Sequence, residues 1–198
     1  MTVHLVRHGQ STWNVEGRLQ GQTPHPELTD LGRAQAAKTA EVLRDRLTGV
    51  NPARVRLVSS DLVRAEQTAE IIAEALDLPF VVDAALREQG LGVLEGRLTS
   101  ELTAEPTPEG LDVTEVRWGG GESIEDVHRR LGAFLEEVLE EVLEEARAAR
   151  ALLVLVTHGD TLGVAKAWLE GRSHREVAWE VVPNGSVVTV TWPPAPSR

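Results

Sequence analysis

The sequence predicts an α/β fold, a three-layer αβα sandwich with a mostly parallel central sheet, formed by residues 1–198 as a single domain. Three observations predict it. Short apolar runs bounded by turn residues alternate along the chain with longer stretches of helical periodicity. The run Leu152-Leu153-Val154-Leu155-Val156 is apolar at every position, as a strand buried on both faces must be. No repeat, linker or second domain interrupts the 198 residues, and one core of that size can bury roughly 70% of the surface its unfolded chain exposes.

The elements follow in order. Val3 to Val6 is a short, mainly apolar run that stops at Arg7-His8-Gly9, a buried strand leading into a loop. From Asp30 to Leu47 the residues Leu31, Ala34, Ala37, Val42 and Leu43 recur at mostly helical spacing, with Thr29 or Asp30 as cap and Gly49 as stop. The turn signal Asn51-Pro52 introduces a strand at Val55-Arg56-Leu57-Val58. A helix from Asp61 to Leu76 follows, with Leu62, Ala65, Ala69, Ile72 and Leu76 on one stripe, and Phe80-Val81-Val82 reads as a third strand after Pro79.

Residues 87 to 121 differ in kind. They hold Gly90, Gly92, Gly96, Pro106, Pro108, Gly110 and Gly119-Gly120-Gly121, and read as a long, mostly irregular lid or substrate loop with one short helix. Glu122-Ser123 then opens the longest helix, to about Arg150. Ile124, Val127, Leu131, Phe134, Leu135, Val138, Val142 and Ala146 fall on one face; Glu136, Glu137, Glu140, Glu141, Glu144 and Glu145 mark the other, a solvated one. The strand at 152–156 ends in Thr157-His158-Gly159, a helix runs from Asp160 to about Leu169, and Ser186–Trp192 is a last strand after the turn Pro183-Asn184-Gly185. The tail Trp192-Pro193-Pro194-Ala195-Pro196 cannot continue a sheet.

Composition narrows the function. With 20 Lys+Arg against 31 Asp+Glu the formal net charge is −11, which argues against a general nucleic-acid binder or a polybasic membrane binder. The absence of cysteine excludes disulfides, thiolate zinc sites and cysteine nucleophiles. The first residues lack the pattern of a signal peptide, and no apolar stretch approaches the roughly 20 residues of a membrane helix, so a cytoplasmic protein is expected.

Ligands of open α/β sheets bind beyond the carboxyl ends of the strands. Two of those ends carry His-Gly, at His8-Gly9 and His158-Gly159, and converge if their strands are neighbours. The strand at 55–58 ends in Ser59-Ser60-Asp61, with Arg64 about one turn into the next helix, near an anion-binding helix N-terminus. Two arginines, two histidines and helix termini suit a tetrahedral, multiply charged anion, a phosphoryl group best of all. Either histidine alone could be a structural imidazole; together with Arg7 and Arg64 they weigh for a site. Asp-x-Asp and His-Glu-x-x-His signatures are absent, so neither metal nor cofactor is expected. His8 or His158 is then the nucleophile, since neutral imidazole attacks phosphorus directly.

The run Arg7-His8-Gly9-Gln10-Ser11-Thr12-Trp13-Asn14 resembles the signature of the histidine phosphatase superfamily, also called phosphoglycerate mutase-like. So do Leu28-Thr29-Asp30-Leu31-Gly32-Arg33-Ala34-Gln35-Ala36 and the segment from Ser59 to Ala69 with Arg64. Arg87-Glu88 followed by Gly92 and Glu95-Gly96, then Gly120-Gly121-Glu122-Ser123 and Thr157-His158-Gly159, complete the order over nearly the whole chain. The resemblance implies that His8 is the nucleophile and forms a phosphohistidine, while Arg7, Arg64 and His158 hold the phosphoryl oxygens. It implies that Asn14 adds a phosphate contact and that Gln20-Gly21 line the substrate side. Glu88 would protonate the leaving alcohol and then activate water, which calls for a raised pKa in a partly desolvated loop. Glu95 is the rival carboxylate, although its place before Gly96 suits a loop-shaping residue.

The family divides into mutases and phosphatases. By the resemblance, mutases carry a tyrosine soon after the acid glutamate, a lysine further along that loop and Asn after the second His-Gly. This chain has no tyrosine, its only lysines are Lys38 and Lys166, and His158-Gly159 is followed by Asp160. A phosphatase acting on a small phosphorylated substrate is therefore expected, with a 2,3-bisphosphoglycerate-dependent mutase and a non-catalytic phosphate-binding regulator as the alternatives. In the loop, Arg97 and Arg117 either recognise a second anionic group or are surface arginines, and Trp118 either stacks on substrate or packs beneath its own loop. Oligomeric state is left open. His4, His25, His128 and His174 read as structural or surface residues, and Trp168, Trp179 and Trp192 as core or edge packing. Asn184-Gly185-Ser186 reads as a tight turn rather than a glycosylation site, and no Lys-Ser/Thr follows Gly119–Gly121 to make a P-loop.

Overall fold

A computed structural model describes residues 1–103, 105–145 and 152–194. The five strands are β1 (Thr2–Arg7), β2 (Val55–Ser59), β3 (Phe80–Val82), β4 (Leu152–Thr157) and β5 (Val187–Thr191). They form one sheet in the order β3-β2-β4-β1-β5. All neighbours are parallel except β5, which runs antiparallel to β1 at the edge, so the sheet is mixed but mostly parallel.

The layers follow from side-chain alternation. Val3 and Leu5 of β1, Val58 of β2 and Leu153 and Leu155 of β4 face one core, whereas Val6, Leu57, Leu152, Val154 and Val156 face the other. The helix α4 (Ile124–Glu145) covers the first core together with α5 (Gly159–Leu169); α2 (Asp30–Arg46) and α3 (Val63–Leu76) cover the second. On α4, Ile124, Val127, Leu131, Leu135, Val138 and Val142 are buried and Phe134 half-buried. Glu136, Glu137, Glu140, Glu141 and Glu144 are exposed, as the solvated-face reading requires. Ala146 and the expected extension to Arg150 lie outside the described residues, as do Ala195 and Pro196 of the tail.

Several expectations need correction. The buried stripe of α2 is Gly32, Ala36, Thr39, Ala40 and Leu43, while Leu31, Ala34 and Ala37 face solvent. The cause is Gly32: a Cβ there would stand 2.1 Å from the Gln10 carbonyl oxygen, so the helix start packs directly on the β1 loop. Thr29 caps this helix through the Gly32 amide, and Leu47, not Gly49, is its C-cap. A short helix α1 (Thr12–Glu16), closed by a Ser11–Asn14 capping box, lies within the first motif where periodicity is too short to show it. Trp179 is exposed, whereas Trp168 and Trp192 pack against the core. The described residues of the 87–121 segment hold four isolated 3-10 turns, at Gly92–Leu94, Thr99–Glu101, Val113–Glu115 and Trp118–Gly120, instead of one short helix.

Candidate active site

The parallel register of β1 and β4 sets Arg7 opposite Thr157, which brings the two His-Gly ends side by side. The His8 amide donates to the Thr157 carbonyl at 2.9 Å, and the rings of His8 and His158 lie 5.1 Å apart, edge to face. Gly9 lets the loop turn beneath α2, since a Cβ there would stand 2.3 Å from the Gly32 carbonyl oxygen. His8 Nδ1 is 2.6 Å from the Gly9 carbonyl. A carbonyl can only accept, so Nδ1 carries the proton and Nε2 keeps its lone pair. Both rings are sealed, at 2% and 0% exposure. Burial first, and then the charge of Arg64, hold both imidazoles well below their ordinary pKa, hence neutral.

Arg64 is the largest fully buried side chain, at 0% exposure. Its two terminal nitrogens donate to the carbonyls of Thr23 (2.9 Å) and Gly21 (2.8 Å), which ties α3 to the 20–23 segment. Burial pushes its pKa down to about 10, so it is still a cation at neutral pH. Arg7 donates to the Val182 carbonyl and lies against Gly159. Ser60 Oγ lies 2.9 Å from His158 Nε2 and accepts from the Leu62 amide at 3.3 Å, so its own proton is available to Nε2. Among the described residues, Arg7 Nε, Arg64 Nε and His158 Nδ1 are buried without a partner, the last being a donor when the Ser60 hydroxyl donates to Nε2. Buried donors are normally paired, and an anion with several oxygens would pair these.

The two candidate carboxylates do different things. Glu88 Oε1 accepts from the Thr161 amide (3.0 Å), Thr161 Oγ1 (2.9 Å) and the Gln89 amide (3.0 Å), while Oε2 accepts from the Asp160 amide at 3.3 Å. This places Glu88 at the start of α5, immediately after His158. Glu95 instead accepts from the amides of Gln22 and Leu91 and from Thr23 Oγ1, binding the loop to the 20–23 segment. A Cβ at Gly21, whose φ is +47°, would stand 2.3 Å from Glu95 Oε1, so the close approach needs glycine. A raised carboxyl does occur here, on Asp160. Its pKa is pushed up to about 7, first by the charge of Glu88 and then by burial, against the pull of Arg7.

Several supports lay beyond sequence reasoning. Glu122 accepts from Gly90 N, Gln22 Nε2 and Arg130, and Arg130 donates to the carbonyls of Ala85, Arg87 and Glu88. The pair thus fixes the backbone that presents Glu88. Glu122 and Ser60 stood in motifs without a role of their own, and no local pattern singles out Arg130 or Thr161. Of the remaining predicted residues, Asn14 Oδ1 accepts from Ser11 and Asn184, and Gln20 accepts from Ser11 Oγ. Gly21 presents its carbonyl to Arg64. Arg97 is exposed, Trp118 half-buried, and Arg117 paired with Asp126 at 2.8 Å on the first turn of α4. Arg87 is likewise tied, to Asp61.

The family model of the histidine phosphatase superfamily (branch 1) matches residues 3–196. A probable phosphoglycerate mutase GpmB of Yersinia pestis (strain Pestoides F) is 39% identical over 175 residues, covering 86% of this chain and 75% of the relative. A mycobacterial glucosyl-3-phosphoglycerate phosphatase, solved in complex with VO3, superposes with a TM-score of 0.81 at 33% identity, over 96% of this chain and 90% of that one. Its complex with inorganic phosphate gives a TM-score of 0.79 at 31% identity, over 96% and 89%.

Proposed function

The chain belongs to branch 1 of the histidine phosphatase superfamily, and we propose that it is a metal-independent phosphomonoesterase acting on small phosphorylated metabolites. The observation that carries the reading is the His8 Nε2 lone pair standing beside partnerless donors of Arg7, Arg64 and His158. In this reading His8 Nε2 attacks phosphorus, the P–O ester bond breaks, and a phosphohistidine forms. Arg7, Arg64 and His158 carry the charge on the equatorial oxygens, which is the service a metal would otherwise supply. Asn14 adds a contact to the phosphoryl group, and Gln20 and Gly21 border it. Glu88 lies where the leaving alcohol departs and where water later enters. Arg97 remains the residue available to a second anionic group on the substrate and Trp118 to a ring or sugar face; Arg117 holds the loop against α4.

Hydrolysis is favoured over mutase chemistry by the missing tyrosine, the lack of lysine in residues 87–121, and Asp160. The name of the Yersinia relative keeps the mutase as a second reading. Release of p-nitrophenol from p-nitrophenyl phosphate, undiminished by chelator, is the expected result, and His8→Ala should abolish it. Glu88→Ala should accumulate phosphohistidine or fail in the first step. Lack of turnover on any phosphomonoester would overturn the enzyme, and a strict metal requirement would overturn the mechanism. The mutase reading instead predicts durable phosphorylation by 2,3-bisphosphoglycerate and interconversion of 3- and 2-phosphoglycerate. A panel of phosphorylated metabolites ranked by kcat/KM then identifies the substrate.

A further inference from the structure

We propose that Arg130 is a positioning residue for protonation of the leaving group: it sets the backbone beneath Glu88 and acts on the rate only through that carboxyl group. The inference rests on the phosphatase reading, in which Glu88 is the acid, and adds the residue that keeps Glu88 within reach of the reacting atoms. Glu88 stands on a stretch that neither sheet nor helix steadies. After the 3-10 turn Ala84–Leu86 the chain runs to Gly92 outside any regular element. A catalytic group has to be held to within about 0.5 Å, so side chains from elsewhere must fix it.

The consecutive carbonyls of residues 85 to 88 show which ones do. Leu86 accepts from Thr157 Oγ1 at 2.7 Å. The carbonyls of Ala85, Arg87 and Glu88 converge on the Arg130 guanidinium, at 2.6, 3.1 and 3.4 Å. The other two N–H groups of Arg130 go to the two oxygens of Glu122, at 2.9 and 3.0 Å. All five donors of the guanidinium are therefore spent inside the protein, which makes it a fixture of the loop and not a ligand for phosphate. Glu122 also accepts from the Gly90 amide and from Gln22 Nε2, each at 2.9 Å, and Gln22 Nε2 donates to the Glu88 carbonyl at 3.1 Å. Gln22 lies between Gly21 and Thr23, whose carbonyls hold Arg64. The mount of Glu88 and the wall of the phosphoryl pocket are thus one hydrogen-bonded frame. Arg130, at three of the four carbonyls, sets how far Glu88 stands from a phosphoryl group held at Arg64.

The step that depends on this distance is the first one. As the His8 Nε2–P bond forms and the P–O ester bond breaks, a proton passes from Glu88 to the departing oxygen and the alcohol leaves. When water attacks phosphorus, the P–N bond breaks and one water proton returns to Glu88. Arg130 exchanges no proton in either step.

Leaving-group basicity separates this role from a structural one, because p-nitrophenolate departs without a proton and an alkoxide does not. Arg130→Lys keeps the positive charge, which also reaches His158, but offers three donors from one point in place of a planar fork. It should lower kcat/KM for glycerol 2-phosphate by about 10²-fold, the cost of a misplacement of ~1 Å. For p-nitrophenyl phosphate the loss should stay under about tenfold, and inhibition by inorganic phosphate should keep its wild-type constant. In a Glu88→Gln background the same substitution should cost less than about threefold on glycerol 2-phosphate, since no acid is left to position. Gln22→Ala removes a companion donor and should shift the ratio of the two substrates the same way by a smaller factor, which keeps the test open if the lysine variant does not fold. Equal losses on both substrates, or a loss as large in Glu88→Gln as in the wild type, would overturn the role of Arg130 and leave the phosphatase standing. A Glu88→Gln protein as fast as wild type on glycerol 2-phosphate would overturn Glu88 as the acid, and Arg130 with it. If the wild-type protein hydrolyses neither substrate, the phosphatase reading itself falls.

Discussion

His8 shows how one local contact sets reactivity. Its Nδ1 proton is consumed by the next residue's carbonyl, so the ring presents Nε2 with no choice of tautomer. Because burial and Arg64 hold the imidazole below its ordinary range, the nucleophile stays neutral into mildly acidic solution. The acid limb of kcat/KM for p-nitrophenyl phosphate should therefore fall below pH 6.5, the ordinary histidine value. A limb at or above that value would show that His8 is not the group being titrated. Arg64 carries a second prediction. Arg64→Ala removes the proposed phosphate donor and leaves the buried Gly21 carbonyl and the half-buried Thr23 carbonyl without their partner. Loss of one preorganised donor costs on the order of 10²–10³ in kcat, and each orphaned group costs about 1–3 kcal/mol of stability. A steady-state assay and a urea melt on the same variant measure the two losses separately. Sequence reasoning reached His8, Arg7, Arg64 and His158 because each sits at a strand end or within one turn of it, where the α/β rule directs attention. It gave no role to Ser60 and did not reach Thr161 or Arg130, which act through contacts formed only after distant segments meet: Arg130 lies 42 residues from Glu88.

At the level of elements, periodicity succeeded where burial alone dictates residue choice. The stripe of α4 and the unbroken apolar run of β4 were both legible, and both are buried as expected. Leu131 is fully buried in the core beneath α4, so Leu131→Ala should cost 2–5 kcal/mol, read from the urea midpoint. The exposed Glu140, substituted by Gln on the opposite face, should change stability by less than about 0.5 kcal/mol. Similar losses at the two positions would mean that α4 is rotated from this placement. Periodicity misled on α2, because alanines and Leu31 outnumbered the signal of Gly32, whose missing side chain, rather than any apolar one, decides which face turns inward. The antiparallel direction of β5 was also out of reach, since five residues carry the same pattern whichever way they run.

For the whole molecule, the net charge of −11 coexists with a pocket of opposite sign, because much of the excess acid is spread along the outer face of α4. That pocket has a thermodynamic consequence. His4, bonded to Thr189 at the far edge of the sheet, is lowered to about 4, mainly by burial, and joins His8 and His158 as a histidine buried in its neutral form. Each takes up a proton on unfolding once the pH falls below the ordinary histidine value, so each contributes stability that is present above about pH 6.5 and lost below it. A full proton of difference is worth about 1.4 kcal/mol per pH unit. Asp160 opposes them: raised in the folded state, it binds its proton more readily there and gains stability as pH falls through about 7. Its side chain opens onto solvent, so its share is smaller than that of a sealed histidine. The three histidines therefore win, and stability should fall by roughly 3 kcal/mol per pH unit between about pH 6 and 5. Urea midpoints at pH 7, 6 and 5 test the slope. Asp160→Asn removes the opposing group and should steepen it, whereas saturating inorganic phosphate, bound only by the folded pocket, should raise the midpoint at every pH. A midpoint that holds constant or rises toward pH 5 would mean that the histidines are not held neutral in the folded protein.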